Sequence, residues 1–290
     1  MSIIGSGRVG GALAVALVNC GYSIRDVVYR TEKPVDIYVS RIGARLLSID
    51  NLDEIDADII FVTTQDAQIS SVGDALAKSL QGAPTVFHTS GSLSSEVLGH
   101  LRSIGCSVGS IHPLVAVSSP LMGTDRFKGA YFCVEGDQIA ENLAKRIVTD
   151  LGGHSFTIPA ELKALYHASA VMAAGHIVAL ADAAIETLTA CGLDRNFARR
   201  ILLPLIGSTA DNLQALDTAD ALTGPFARRD VQTFERHLAS IEENVTDEIR
   251  EIYLCLAMRS AELASRSDTD LKGSLTLLEN ISMAKRNAKC

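Results

Sequence analysis

The strongest constraint on this chain lies at its start. Ser2-Ile3-Ile4 reads as a short buried strand, and Gly5-Ser6-Gly7-Arg8-Val9-Gly10 follows at once, ahead of an apolar helical run from Gly11. In a G-x-G-x-x-G between strand and helix the first glycine permits a tight turn and the second lets backbone approach a diphosphate. The third lets helix and strand pack closely. Free amides and the dipole at the helix N-terminus then hold the anion. Such a start predicts dinucleotide binding on a parallel α/β sheet.

The rest of the first half keeps that rhythm. Strand-like runs at Ser2 to Ile4, Asp26 to Arg30, Asp58 to Thr64, Thr85 to Ser90, Cys106 to His112, Ala130 to Glu135 and Ser155 to Ile158 alternate with helical periodicities at Gly11 to Cys20, Ile69 to Leu80, Ser94 to Ile104 and Gln138 to Leu151. That alternation predicts βαβ units with right-handed crossovers. After Pro159 strand runs vanish. Helical spacing runs unbroken from Ala160 to Cys191, where Gly192 supplies a stop, so a single helix about 48 Å long is expected. Further helices are expected at Arg195 to Leu216, Val231 to Ile241, Asp247 to Ala264 and Leu271 to Ala284. The predicted fold is an N-terminal doubly wound, mainly parallel Rossmann sheet over residues 1–158, followed by an all-α domain over 159–290.

Composition narrows the function classes. With 290 residues, 47% of them hydrophobic and 21% charged, the chain suits two globular domains. A net charge of −8 gives no general attraction to nucleic acid or anionic lipid. The six cysteines form no CxxC pair and no His/Cys cluster, which predicts reduced thiols and no metal site. No basic or long apolar leader precedes the glycine turn, and no apolar stretch is read as spanning a bilayer; a cytoplasmic protein with no membrane partner is expected.

The tip of the second strand selects the coenzyme. Val27-Val28-Tyr29-Arg30-Thr31 places a guanidinium and a hydroxyl where an NAD site usually has a carboxylate, so Arg30 and Thr31 favour NADP(H), with Glu32 as the feature for NAD. The expected coenzyme residues are Gly5, Ser6, Gly7, Arg8, Val9, Gly10, Arg30, Thr31 and, at later strand ends, Thr63, Thr64, Gln65, Ser90 and Gly91. His88 and His112 also end strand-like runs, where an imidazole can orient or protonate a substrate. Lys163, Tyr166 and His167 share one helix face by their i, i+3 and i+4 spacing. Lys163, His167 and His112 are the candidate proton donors; His88, Tyr166 and Arg229 are candidate substrate contacts.

Jointly, Gly5 to Gly10, His88-Thr89-Ser90-Gly91, His112-Pro113, Phe127-Lys128-Gly129, Glu135-Gly136-Asp137, Tyr166-His167-Ala168 and Leu222-Thr223-Gly224-Pro225 resemble a bacterial family with a Rossmann-like NADP-binding domain and a helical DUF2520-type domain. More distantly the chain is similar to pyrroline-5-carboxylate reductases, 6-phosphogluconate dehydrogenase and the β-hydroxyacid dehydrogenases. The resemblance implies an NADP-dependent oxidoreductase acting on a small polar carbonyl, imine or alcohol held between two domains. It departs from the family at Gly175, where Asn is common, and at Arg229, where Gly is common. The fingerprint also begins only four residues into the chain, which points to a start codon further upstream.

Ala173, Ala174, Gly175, Ala179, Ala183 and Ala184 leave little bulk along the long helix, which predicts a two-fold homodimer through the helical domain. The rival reading is a sensor that binds NADP without turning anything over.

Overall fold

The computed structural model describes residues 1–30, 37–119, 124–267 and 271–287. Thr31 and Glu32, two residues of the coenzyme reading, lie outside them. The chain forms two compact units, residues 1–175 and 176–290.

The first unit is built on eight strands: β1 (Ser2–Ile4), β2 (Asp26–Tyr29), β3 (Arg45–Ser48), β4 (Ile59–Val62), β5 (Thr85–His88), β6 (Ser107–Pro113), β7 (Tyr131–Gly136) and β8 (His154–Phe156). They lie in the order β3-β2-β1-β4-β5-β6-β7-β8. The first six strands are mutually parallel; β7 runs antiparallel to β6, and β8 parallel to β7. Strand order reverses beside β1, so the carboxyl ends of β1 and β4 form the switch point where such sheets leave a crevice. Helices α1 (Arg8–Asn19), α2 (Ile37–Ile42), α3 (Asp66–Ser79) and α4 (Gln138–Asp150) accompany the sheet.

Two apolar clusters cover the sheet. One joins Ile3, Leu13, Leu17, Val27, Phe61 and Phe87 to Phe132 and Ile147; the other joins Ile4, Val28, Ile60, Val62, Ile69 and Leu76 to Val86, Leu98 and Val108. Neighbours such as Ile3 and Ile4, or Phe61 and Val62, fall in different clusters because successive strand residues face opposite sides. Both faces are apolar, so the strands read as continuous hydrophobic runs.

β3 escaped the sequence reading. Its apolar pair Leu46-Leu47 is too short a signal, and Arg45 does the docking: its Nε donates to Asp26 Oδ1 at 2.8 Å, while Ser2 Oγ donates to Oδ2 at 2.7 Å. Three strands are tied through one fully buried carboxylate. The segment Ser95–Ile104, expected as an ordinary helix, is a tighter 3₁₀ run, with Arg102 bound to Glu96 and Asp137.

The single helix expected over Ala160 to Cys191 is interrupted. A 3₁₀ turn (Ala160–Leu162) leads into α5 (Lys163–Ala173); Ala174 leaves helical geometry at φ −125°, ψ −72°, and α6 (Gly175–Ala190) starts afresh. A weak helix former directly after the break explains why propensity did not carry the helix through. Architecture thus changes at Pro159, yet α5 stays with the sheet, so the compact units part at 175/176.

The second unit holds α6, α7 (Arg195–Ala215), α8 (Thr218–Ala221), α9 (Val231–Asn244), α10 (Asp247–Ala264) and α11 (Leu271–Asn287). Its core is Phe234, Leu254, Ala257, Ala261, Leu277, Ile281 and Ala284, contributed by the last three helices. α6 and α7 are mostly exposed: only Ile185 and Ala198 are buried on them. By length and composition the run Ala160–Ala190 reaches what a membrane crossing requires, which corrects the sequence expectation.

A Cβ at Gly175 would meet only Val171 Cγ1, at 3.8 Å. Gly175→Ala is therefore expected to raise stability by about 0.5–1 kcal/mol, measured by urea unfolding.

Candidate active site

Parallel registry aligns Ile4, Val28, Val62, His88 and Ser110 across the carboxyl edge of the sheet. Two groups of functional side chains gather along it. The first surrounds the glycine turn. Gly5 takes φ +111°, and a Cβ on Gly10 would stand 2.2 Å from Gly5 O and 2.3 Å from Thr63 Oγ1. Thr63 Oγ1 in turn donates to Gly5 O at 2.7 Å. Helix, turn and β4 are in backbone contact, so only glycine fits at position 10.

This contact opens a cleft of about 590 Å³ whose walls include Gly5, Ser6, Gly7, Arg8, Arg30, Thr63, Thr64 and Gln65. Of the predicted coenzyme residues, Val9, Gly10, Ser90 and Gly91 are not among those lining it. Gly7 caps α1 through backbone alone, with no side-chain acceptor and no acidic residue in the first turn. An anion there meets amides and Arg8 without competition from a carboxylate. Exposed Arg30 lies on the wall at the end of β2. Glycine turn, uncapped helix and guanidinium suit a phosphorylated dinucleotide.

The second group is built where β5, β6 and β7 meet α5. Lys163 opens that helix and is almost wholly buried, at 1% exposure. Its Nζ donates to Ser110 Oγ and lies 3.5 Å from Glu135 Oε1. Ser110 and Glu135 are direct cross-strand partners on β6 and β7. Glu135 is itself held, accepting from the Ser95 amide at 2.8 Å and the Ser95 hydroxyl at 2.7 Å. Burial lowers the Lys163 pKa, and the Glu135 carboxylate opposes that shift.

With Lys163 fixed, the next turn of α5 brings Tyr166 and His167 to His112. Tyr166 Oη and His112 Nδ1 are 2.7 Å apart, and the His112 and His167 rings meet edge to face with centroids 5.3 Å apart. Both lie against Gly91: a Cβ there would be 2.2 Å from His167 Nδ1 and 2.7 Å from His112 Nε2. Burial raises the Tyr166 pKa, so the phenol keeps its proton. Burial, then the proximity of His167 and Lys163, lowers that of His112 to about 4. His88, fully buried, is also pushed down to about 4 by burial and Lys163.

Among the described residues Thr64 Oγ1 and His167 Nδ1 are buried without a protein partner, and both belong to residues singled out in the sequence. His88 Nδ1 accepts the Ser90 amide at 3.2 Å, which places the imidazole proton on Nε2, and a hydrogen bond to the Ser94 backbone partly offsets the effect of burial on the ring. Ser90 differs: its hydroxyl donates to Asp66 and accepts the amides of Ser92 and Leu93, shaping the loop. Arg229 lies in the second unit at φ +57°, with its guanidinium on Ser274 Oγ and Ala264 O. Sequence reasoning missed Ser95, Ser110 and the role of Glu135, because the registry of β6 with β7 and the docking of the 3₁₀ run bring them together. No group of three or more metal-ligating side chains occurs among the described residues.

Residues 1–86 match the family model described as NADP oxidoreductase coenzyme F420-dependent, and residues 130–260 match that of a domain of unknown function, DUF2520. The start of the chain is thus similar to an NADP oxidoreductase domain and a later stretch to a DUF2520 domain. Its fold recurs in a Thermotoga maritima crystal structure at 25% identity, covering 98% of this chain and 99% of that one with a TM-score of 0.67. It recurs in a Bacteroides fragilis protein provisionally named an NADP oxidoreductase, at 23% identity, 91% and 96% coverage and a TM-score of 0.73. A Plasmodium falciparum pyrroline carboxylate reductase with NADP bound shares the fold at 15% identity, 96% and 97% coverage and a TM-score of 0.59. No curated protein matches by sequence.

Folding lowers the pKa of buried His88 and half-buried His112 from an ordinary 6.5 to about 4. Between those values the unfolded chain binds more protons, so their stabilising contribution is full above pH 6.5 and is lost as pH falls towards 4. Melting temperature should drop steeply from about pH 7 to about pH 4.5, and His112→Phe should flatten that drop.

Proposed function

We propose that this oxidoreductase moves hydride between NADP(H) and a small polar substrate at the carboxyl edge of the first unit's sheet. The observation that carries the reading is the glycine cleft at the carboxyl edge of the sheet, together with two unpartnered buried polar atoms, Thr64 Oγ1 on its wall and His167 Nδ1 on α5. Leaving buried polar groups unpaired costs about 1–3 kcal/mol each, which a bound ligand recovers.

The glycine turn and the first turn of α1 hold the diphosphate, and Arg30 holds the 2′-phosphate. The bound coenzyme supplies hydride chemistry; the chain supplies position and a proton. Among the candidate donors the geometry favours the histidines. Lys163 Nζ is spent on Ser110 and Glu135 out of reach of solvent, so it sets the position of α5. His112 and His167 pack together against Gly91, with His112 Nδ1 on the Tyr166 hydroxyl. The sensor reading leaves this convergence unexplained.

We place the protein in the cytoplasm as a homodimer. Ile177, Val178 and Leu180 on α6, with Ile201, Leu203 and Leu205 on α7, are exposed in the single chain. An apolar face of that size calls for a partner, and a second copy meets it by symmetry.

Arg30→Asp is expected to weaken NADPH binding at least about tenfold while changing NADH binding little, by fluorescence titration. Equal loss for both coenzymes would remove Arg30 from the phosphate site. Light scattering at micromolar concentration should return about twice the chain mass of 30.8 kDa.

A further inference from the structure

Tyr166 meets His112 in a way that decides what the imidazole can do. The phenol oxygen and His112 Nδ1 lie 2.7 Å apart, the one side-chain hydrogen bond of either residue among the described residues. Two protons compete for that line. Either the phenol donates to the ring, or a proton on Nδ1 is donated to the phenol oxygen. The second arrangement leaves the phenolic proton with no protein acceptor and asks an oxygen whose lone pair is delocalised into its ring to accept. The first pairs a strong donor with the localised lone pair of an imidazole nitrogen.

Both groups are in the charge state that the first arrangement needs. Burial raises the Tyr166 pKa, so the phenol keeps its proton. Burial, then His167 and Lys163, lowers that of His112 to about 4, so the ring is neutral near pH 7. A neutral imidazole carries a single N–H and a single lone pair. With Nδ1 accepting from Tyr166, the proton sits on Nε2 and no lone pair is left over.

The surroundings hold both rings to this pairing. Buried Lys163 fixes the start of α5, and Tyr166 follows one turn later. Phe156 on β8 packs against the Tyr166 ring with centroids 5.9 Å apart, and the Tyr166 and His112 rings stand at 86° to each other with centroids 5.5 Å apart. His167 then meets His112 at 84°. Each ring of the pair is thus braced by an aromatic neighbour besides its hydrogen-bond partner.

We infer that Tyr166 is a positioning residue whose hydroxyl fixes His112 as the Nε2–H tautomer, so that His112 serves the reaction as a hydrogen-bond donor through Nε2 and not as a base. Its hydroxyl is spent on the protein, which sets aside the substrate contact expected of it from the sequence. The use of the tautomer in catalysis rests on the oxidoreductase reading; the tautomer itself is read without coenzyme.

Nitrogen-15 NMR of the histidine rings in the full-length, coenzyme-free protein at neutral pH provides the test. His112 should show an unprotonated, hydrogen-bonded Nδ1 and a protonated Nε2. Tyr166→Phe keeps the aromatic ring and removes the hydroxyl. The ratio of Nε2–H to Nδ1–H should then fall about fivefold, the worth of one hydrogen bond, and the two nitrogen signals should move towards each other. His237, which meets Tyr253 at 2.9 Å in the second unit, is the internal reference and should not change. A purely structural role for Tyr166 predicts an unchanged His112 ratio, and that result would overturn the inference. So would a protonated Nδ1 or an even mixture of tautomers in the unmodified protein, which decides the matter alone if the variant does not fold. A separate NADPH titration decides the coenzyme reading: no binding there refutes the oxidoreductase proposal and leaves the tautomer as measured.

Discussion

A buried ammonium holds the candidate active site together. Helices usually dock through an apolar stripe, yet the only buried residue of α5 is Lys163. Removing a charge from water costs several kcal/mol, and the protein offsets this with the Ser110 hydroxyl and the Glu135 carboxylate, the latter fixed by both polar groups of Ser95. Such an arrangement is demanding in geometry, because an uncompensated partner costs about 3–5 kcal/mol. The demand is useful here. It sets where α5 starts, and with that where Tyr166 and His167 land one turn later.

The glycine turn solves a different problem by different means. Its partners are backbone atoms and one threonine, and its precision comes from close approach, with no room for a Cβ at Gly10. Rigid backbone suits a phosphate chain, whose oxygens need several fixed donors. The histidine group uses side chains with adjustable protons, as proton movement requires. One sheet edge carries both, because parallel strands end there together and the antiparallel β7 brings Glu135 opposite Ser110.

Much of this was legible in the residues. The strand-turn-helix at Ser2 to Leu13, the histidines ending β5 and lying in β6, and the i, i+3, i+4 set on α5 were all visible, since each depends on local spacing. What stayed hidden depends on distant pairing. β3 is too short to announce itself and docks through Arg45 on a carboxylate of another strand. The Glu135–Ser110–Lys163 anchor needs the register of β6 and β7 together with the docking of a helix. The break at Ala174 was invisible for another reason. Apolar periodicity runs straight through it, and the departure involves one residue's backbone angles.

That break also bears on the exposed apolar run. A crossing of about 20 residues drawn from the run Ala160–Ala190 would carry His176 through the hydrocarbon together with His167 or with Asp182 and Glu186. Lys163 is already committed to the sheet of a folded α/β unit, so the run's first turn cannot enter lipid without extracting a buried cation from its partners. In the second unit, Asp182 pairs with Arg195, which begins α7. A protein partner accommodates such edge charges beside apolar and small residues, whereas lipid penalises each of them. The run that meets a membrane criterion by composition thus carries charges that lipid penalises.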